Sequence, residues 1–309
     1  MVLIYEDTSK RIIKDRERVN FSSFSSLHLI VITARVKGKK QISNSATDDE
    51  DLTVKIDNKS FPKLSRPERI ADSAAAFSGG SLHGLTKTVH FLIFLKGKDH
   101  KIELTTDKLP NTAALESLRV YTLYQERELF LKLEQQAEDG NRRPWITIVL
   151  DDLSLKSITA TITYSRRKRD SDDVKIIIDD KVQGNLLKKI KHFLWRYVGS
   201  LLSPLATKTE TNSITVNLPI GLHYLEFWAD RMPTLNSLIF DFGTAPLILT
   251  EIPTVNNPAW AAAIQVVSGK TPDPTKGANH FYATIIPKPS WADEKKLTIQ
   301  VGITKFYKL

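Results

Sequence analysis

Apolar positions along this chain come in short β-branched or aromatic runs more often than at helical spacing. Residues 27–34 (LHLIVITA) and 89–95 (VHFLIFL) are continuous enough to read as buried strands. Residues 53–56, 86–95, 101–105 and 118–121 have the same character, as do 157–164, 174–178, 213–217, 224–228 and 238–240. Turn formers separate them: Ser78-Gly79-Gly80, Lys96-Gly97-Lys98-Asp99, Glu138-Asp139-Gly140-Asn141 and Pro219-Ile220-Gly221. Strands parted by turns at this spacing predict a mainly β chain built from antiparallel sandwiches.

One segment breaks the pattern. Leu186, Leu187, Ile190, Phe193, Leu194, Tyr197 and Val198 form a helical stripe closed by Gly199, and Lys188, Lys189, Lys191 and Arg196 occupy the opposite face. A basic amphipathic helix can lie on an anionic membrane. Covering the end of a sandwich is the commoner use of such a stripe.

The strand-rich part contains a repeat. His100-Lys-Ile-Glu103-Leu-Thr-Thr-Asp107-Lys-Leu-Pro110 aligns without gaps on His223-Tyr-Leu-Glu226-Phe-Trp-Ala-Asp230-Arg-Met-Pro233, 123 residues later. Asp51–Lys59 aligns on Asp173–Lys181 at an offset of 122, and Ile32-Thr33-Ala34-Arg35-Val36 resembles Ile158-Thr159-Ala160-Thr161-Ile162. Three blocks in one order indicate a tandem duplication. The expected domains are an N-terminal tail at 1–19, β-sandwich repeats at 20–123 and 124–243, a linker at 244–258 and a small α+β fragment at 259–309.

A length of 309 residues suits two domains and a small third. With 41% hydrophobic and 26% charged residues, the composition excludes disorder or a fibrous repeat as a description of the whole. The 44 Lys and Arg against 35 Asp and Glu leave a formal charge of +9, which favours an anionic partner: nucleic acid, a membrane face or an acidic wall polymer. Residues 166–191 concentrate basic side chains but hold no aromatic ring for base stacking, so nucleic acid is the weakest of the three. The absence of cysteine removes disulfides, thiolate metal sites and a Cys nucleophile. No run approaches the roughly 18 apolar residues of a spanning helix. Glu6 and Asp7 stand where a signal peptide would continue its apolar core, so no export signal is visible.

Several residues are candidates for chemistry. Asp48, Asp49, Glu50 and Asp51, and again Asp170, Asp172 and Asp173, precede the same strand in both copies and could hold Ca²⁺ through oxygen ligands. Acidic loops are more often simply solvated. His223 and Glu226, three apart on a strand, point to opposite faces and could not share a metal ion, so no metal site is assigned to them. Tyr224, Glu226 and Trp228 share one face, either as a binding surface or as core.

The tail has no counterpart in either copy. Its Asp273-Pro-Thr275-Lys-Gly277-Ala-Asn-His280-Phe-Tyr282 run, its Pro289-Ser290-Trp291 turn and its final Gly302 with Phe306-Tyr307 resemble the C-terminal half of the SleB-type cell-wall hydrolase family. The copies look like glycan-binding sandwiches that can precede such a hydrolase. The resemblance implies a glycosidase-like activity on peptidoglycan, a location in the cell envelope or outside the cell, and sugar contacts at Asp273, Thr275, Gly277, His280, Tyr282 and Trp291, beside Tyr224 and Trp228 in the second copy. The family's general-acid glutamate belongs to an N-terminal half that is missing here. Residues 244–272 hold a single carboxylate, Glu251, as the one weak candidate acid. The expectation is therefore a wall- or glycan-binding protein with a truncated hydrolase domain, inactive alone and needing no cofactor. The alternative is an active peptidoglycan glycosidase or lytic transglycosylase that uses an unusual acid or a partner chain.

Overall fold

The computed structural model describes residues 1–107, 113–123, 127–166, 170–184, 194–196 and 206–243. The tail expected to be hydrolase-like, with Glu251, Asp273, Thr275, Gly277, His280, Tyr282 and Trp291, lies outside the described residues, as does Pro110. The chain is mainly β, and Met1–Tyr124 with Glu128–Gly243 form one compact unit.

In the first copy the strands are β1 (Val2–Asp7), β2 (Arg11–Ile12), β3 (Arg16–Ser22), β4 (Ser26–Arg35), β5 (Asp51–Ile56), β6 (Lys59–Ser60), β7 (Phe77–Ser78), β8 (Thr86–Leu95), β9 (Asp99–Thr106) and β10 (Ala114–Leu123). Strands β1, β10, β4 and β8 make one sheet, with β2 also on β10; β3, β9 and β5 make the other, with β6 and β7 both on β5. From β3 to β5, and again from β7 to β10, the chain passes from one sheet to the other at each step. That order is a double-sheet jelly roll. Alternation drives it: Val19, Phe21, Leu52, Val54, Ile102 and Leu104 turn inward, while Arg16, Arg18 and Asn20 face solvent.

The second copy repeats this order with β11 (Glu128–Gln136), β12 (Arg143–Ser165), β13 (Asp173–Ile178), β14 (Lys181–Gln183), β15 (Trp195–Arg196), β16 (Thr207–Asp230) and β17 (Thr234–Asp241). The registers coincide. Leu52 pairs with Thr106 and Ile56 with Ile102 in the first copy; Val174 pairs with Ala229 and Ile178 with Leu225 in the second, at the sequence offsets of 122 and 123. Likewise Ile32 lies between Val89 and Leu118, and Ile158 between Ile214 and Phe240.

Three local expectations are corrected. Residues 1–19 are not a tail: β1, β2 and β3 are strands of the first sandwich, placed by pairing with β10 and β9. Pro219-Ile220-Gly221 does not end a strand but lies inside β16, at an irregularity where one continuous strand leaves one sheet for the other. The first copy divides the same path into β8 and β9. Trp195 and Arg196, inside the run expected to be helical, are strand; Trp195 is fully buried opposite Val174, as Phe77 is opposite Leu52. The rest of that run, apart from Leu194, lies outside the described residues.

The copies are fused rather than strung together. Strand β8 pairs in parallel with β12 from Thr88 opposite Ile146 to Ile93 opposite Asp151, which joins β1, β2, β4, β8 and β10 of the first copy to all seven strands of the second in one 12-stranded hydrogen-bonded network. Residues 61–76 of the first copy reach over the outer face of the second copy's part of this sheet. There the Tyr224 hydroxyl donates to the Pro62 carbonyl at 2.6 Å, and the buried Lys87 ammonium donates to the Ala74 and Ala76 carbonyls at 2.7 Å each. On the opposite face, Gln135 Nε2 donates to Thr88 Oγ1 at 2.7 Å and Arg35 pairs with Glu138 at 2.8 Å.

The face of the first copy that carries Thr88 and His90 is thus buried. Its counterpart in the second copy is exposed and hydroxylated: Thr159 pairs with Ser213, Thr161 with Thr211, Thr163 with Thr209 and Ser165 with Thr207, oxygen to oxygen at 2.6 to 2.9 Å. Cross-strand threonine pairs suit such a solvated sheet.

Candidate functional site

Alternation along β16 puts Tyr224, Glu226 and Trp228 on the outer face of the fused sheet, and His223, Leu225 and Phe227 on its inner face. The three outward residues have different fates. Tyr224 is buried under residues 61–76 and belongs to the first copy's core. Glu226 and Trp228 are half-buried beyond the edge of that cover. Trp228 Nε1 donates to Glu226 Oε2 at 3.1 Å, and the Lys175 ammonium sits 4.4 Å from the Trp228 ring centroid. Cross-strand pairing explains both neighbours, since Lys175 is opposite Trp228, and Thr147 and Ile177 flank Glu226.

The outcome is a ledge. Its floor carries an indole, an ammonium and a carboxyl, and its wall is the segment pinned by Lys87. Burial pushes the Glu226 carboxyl above the usual range, opposed by Lys87 and by the hydrogen bond from Trp228. Burial also lowers the Lys175 ammonium. Thr147 is fully buried directly across from Glu226, and its Oγ1 has no hydrogen-bond partner among the described residues. The indole beside an amine and a carboxyl can meet a ring with one apolar face and a hydroxylated rim. Nothing in the sequence signalled the wall, because residues 61–76 and Tyr224 meet only through the duplication.

The repeated Asp and His positions are structural. Asp57 and Asn58 take left-handed φ of 47° and 66°, and Asp179 and Asp180 of 48° and 63°, so each copy has the two-residue turn that suits a tight hairpin. Asp57 Oδ2 lies 2.8 Å from His100 Nδ1, and Asp179 Oδ2 lies 2.8 Å from His223 Nδ1. In both copies the other carboxylate oxygen accepts the next residue's amide, from Lys101 and from Tyr224.

The acidic runs are spread out. Asp48 is exposed, Asp49 accepts the Gly80 amide, and Asp172 accepts the Ser165 and Met232 amides at 2.8 and 3.0 Å. Asp170 pairs with Arg231, and Asp230 with Arg142, each at 3.3 Å. Burial, followed by smaller effects that include the Asp49 and Asp107 charges, pushes Asp51 up to about 7. Glu50 is buried and Asp173 nearly so. Among the described residues no three His, Asp or Glu side chains are arranged to hold a metal ion, and no helix is long and apolar enough to cross a membrane.

No family model matches the chain, and no curated protein does. Among solved structures it is similar to dimeric latent PorU from Porphyromonas gingivalis at 10% identity, with 77% of this chain and 22% of that one covered and a TM-score of 0.26. It is also similar to the isomaltodextranase of Arthrobacter globiformis T6 complexed with panose, at 10% identity, 75% and 36% coverage and a TM-score of 0.23. A third is the plant receptor-like kinase FER, at 8% identity, 75% and 81% coverage and a TM-score of 0.21. The chain spans well under two thirds of the first two. At these scores none of them carries an argument about fold or function.

Proposed function

We propose that this chain is a glycan-binding protein of the cell wall, related to the cell-wall hydrolases its tail resembles, and that the ledge around Trp228 is where it touches sugar. The observation that supports this most is the half-exposed Trp228 ring between the Lys175 ammonium and the Glu226 carboxyl, beside a segment whose carbonyls accept from Lys87. An indole face takes the apolar side of a sugar ring, and a carboxyl and an ammonium at its edge take hydroxyls. The net charge of +9 suits a polymer bearing negative charge. The reading is one of binding alone. Contact that is equal in ground and transition state does not accelerate cleavage.

Co-sedimentation of the full chain with insoluble peptidoglycan tests it. Wild type pellets with the wall, and Trp228→Ala, folded by circular dichroism, shifts at least half of that protein to the supernatant. A folded Trp228→Ala that pellets like wild type removes the ledge from the binding surface.

A further inference from the structure

The equivalent outer face of the first copy is open and basic. In β3, β9 and β5, Arg18 and Lys55 flank Glu103 from either side, Arg16 is opposite Thr105, and Lys101 is opposite Asn20. Strand geometry sets the cations roughly 6–7 Å apart along a strand and about 4.8 Å apart between strands. Arg16 and Arg18 are half-exposed, with side-chain exposures of 49% and 55%.

Glu103 is the counterpart of Glu226, but it is used differently. It accepts Arg18 Nε at 2.9 Å and lies 3.7 Å from Arg16 Nε and 3.9 Å from Lys101 Nζ. The hydrogen bond from Arg18 draws its carboxyl below the usual range. One buried carboxylate therefore binds Arg18 through Nε and draws the Nε side of Arg16 towards it. Their Nη groups make no hydrogen bond among the described residues and remain available as forks. At the end of the same face lies a depression of about 390 Å³ lined by Asn20, Phe21, Ser22, Asp99, His100 and Lys101, a size within the range of ligand pockets.

We propose that this face of the first copy binds an anionic polysaccharide, with Arg16 and Arg18 taking pendant carboxylates and the depression beside Lys101 taking a neighbouring sugar unit. Four cations surround one carboxylate that is already paired, so the face is complementary to a chain of spaced negative charges. Guanidinium forks match carboxylates in geometry as well as in charge. Asn20, Ser22 and Thr105 supply the short polar groups that meet sugar hydroxyls. The outward positions of β3, β9 and β5 carry no aromatic ring, and Phe21 and His100 at the depression are buried, so no exposed series of rings offers the stacking that single-stranded nucleic acid needs. A sheet face also has no projecting element to enter a duplex groove. The site is independent of Trp228 and of the ledge.

Affinity electrophoresis of the full chain through gels containing polygalacturonate, neutral dextran or short duplex DNA tests it. Polygalacturonate retards wild type, dextran does not, and the retardation weakens as salt screens the charges. Arg16→Gln/Arg18→Gln loses about tenfold or more in affinity, as expected for two lost charge-assisted contacts. Because that variant strands Glu103, the triple variant with Glu103→Gln as well is run beside it as the folded control and loses binding equally. Trp228→Ala keeps its retardation, which separates this site from the ledge. Wild-type retardation of the folded triple variant overturns the proposal. Tighter binding of DNA that the same substitutions abolish also overturns it, in favour of a nucleic acid.

Discussion

His223 and Asp179 reproduce in the second copy the contact His100 makes with Asp57 in the first, yet the far nitrogens of the two imidazoles meet different surroundings. His223 has acceptors on both nitrogens, the Asp179 carboxylate at Nδ1 and the Pro219 carbonyl at Nε2, each at 2.8 Å. Two acceptors favour a ring that donates from both nitrogens, which is the protonated form. His100 Nε2 has no such partner and packs against Phe21 and His28. The difference follows from the corner in β16, which brings the Pro219 carbonyl back over the ring.

Stability should therefore respond to pH in two directions. The hydrogen bond that His223 donates to Asp179 raises its ring above the ordinary 6.5. Its contribution is complete below the unfolded value and is lost as pH rises through the folded one. His28 and His90 are lowered by burial to about 4, so their neutral forms support the fold down to the unfolded value, and that support is lost as pH falls from about 6.5 towards 4. Thermal melts should show highest stability near pH 6. Asp179→Asn should flatten the decline on the alkaline side and cost about 1–2 kcal/mol at pH 6. An unchanged alkaline limb in that variant would contradict the assignment.

Phe77 and Trp195 fill equivalent slots and are each fully buried. Truncation of either to Ala should cost about 3–5 kcal/mol, measured by urea unfolding. A cost below about 1 kcal/mol at Trp195 would mean that β15 is not anchored as Phe77 anchors β7.

Tyr224→Phe keeps the ring and removes the hydroxyl with its bond to Pro62 and its contact with Ser73. The expected loss is about 1 kcal/mol. Tyr224→Ala should lose several times more, because the ring belongs to the first copy's core. Equal losses would show that the hydroxyl, not the ring, holds residues 61–76 down.

Residues 128–243 produced on their own should self-associate. Cutting between the copies frees the β12 edge from Ile146 to Asp151 and uncovers Val149 and Tyr224. Size-exclusion chromatography with light scattering reads the outcome, and a stable monomer would show that the shared sheet is dispensable.

The strands were legible wherever a β-branched run stood on its own, and the duplication was legible because Asp57, His100, Asp179 and His223 serve a turn that other residues cannot make as well. Strand β3 was not. Its inward Val19 and Phe21 alternate with Arg16, Arg18 and Asn20 over too few residues to outweigh the charged surroundings. Pro219 misled because a turn signal also marks a strand that bends around a corner. Trp195 misled because a helical stripe of apolar residues does not reveal a tertiary slot opposite Val174. At the ledge, period two placed Tyr224, Glu226 and Trp228 together, but which of them stays open is decided by residues 61–76, far away in sequence.

The hydroxyl rungs from Thr159–Ser213 to Ser165–Thr207 make the second copy's face a poor seat for a further apolar sheet. Where the first copy carries His90 and Leu92, it accepts a successor; where the second carries Thr215 and Asn217, water is the better neighbour. Terminal units of repeat proteins need such wet outer faces. Repainting those rungs with leucine and valine would therefore do more than lower solubility: it would turn the last unit of a pair into the first unit of a polymer.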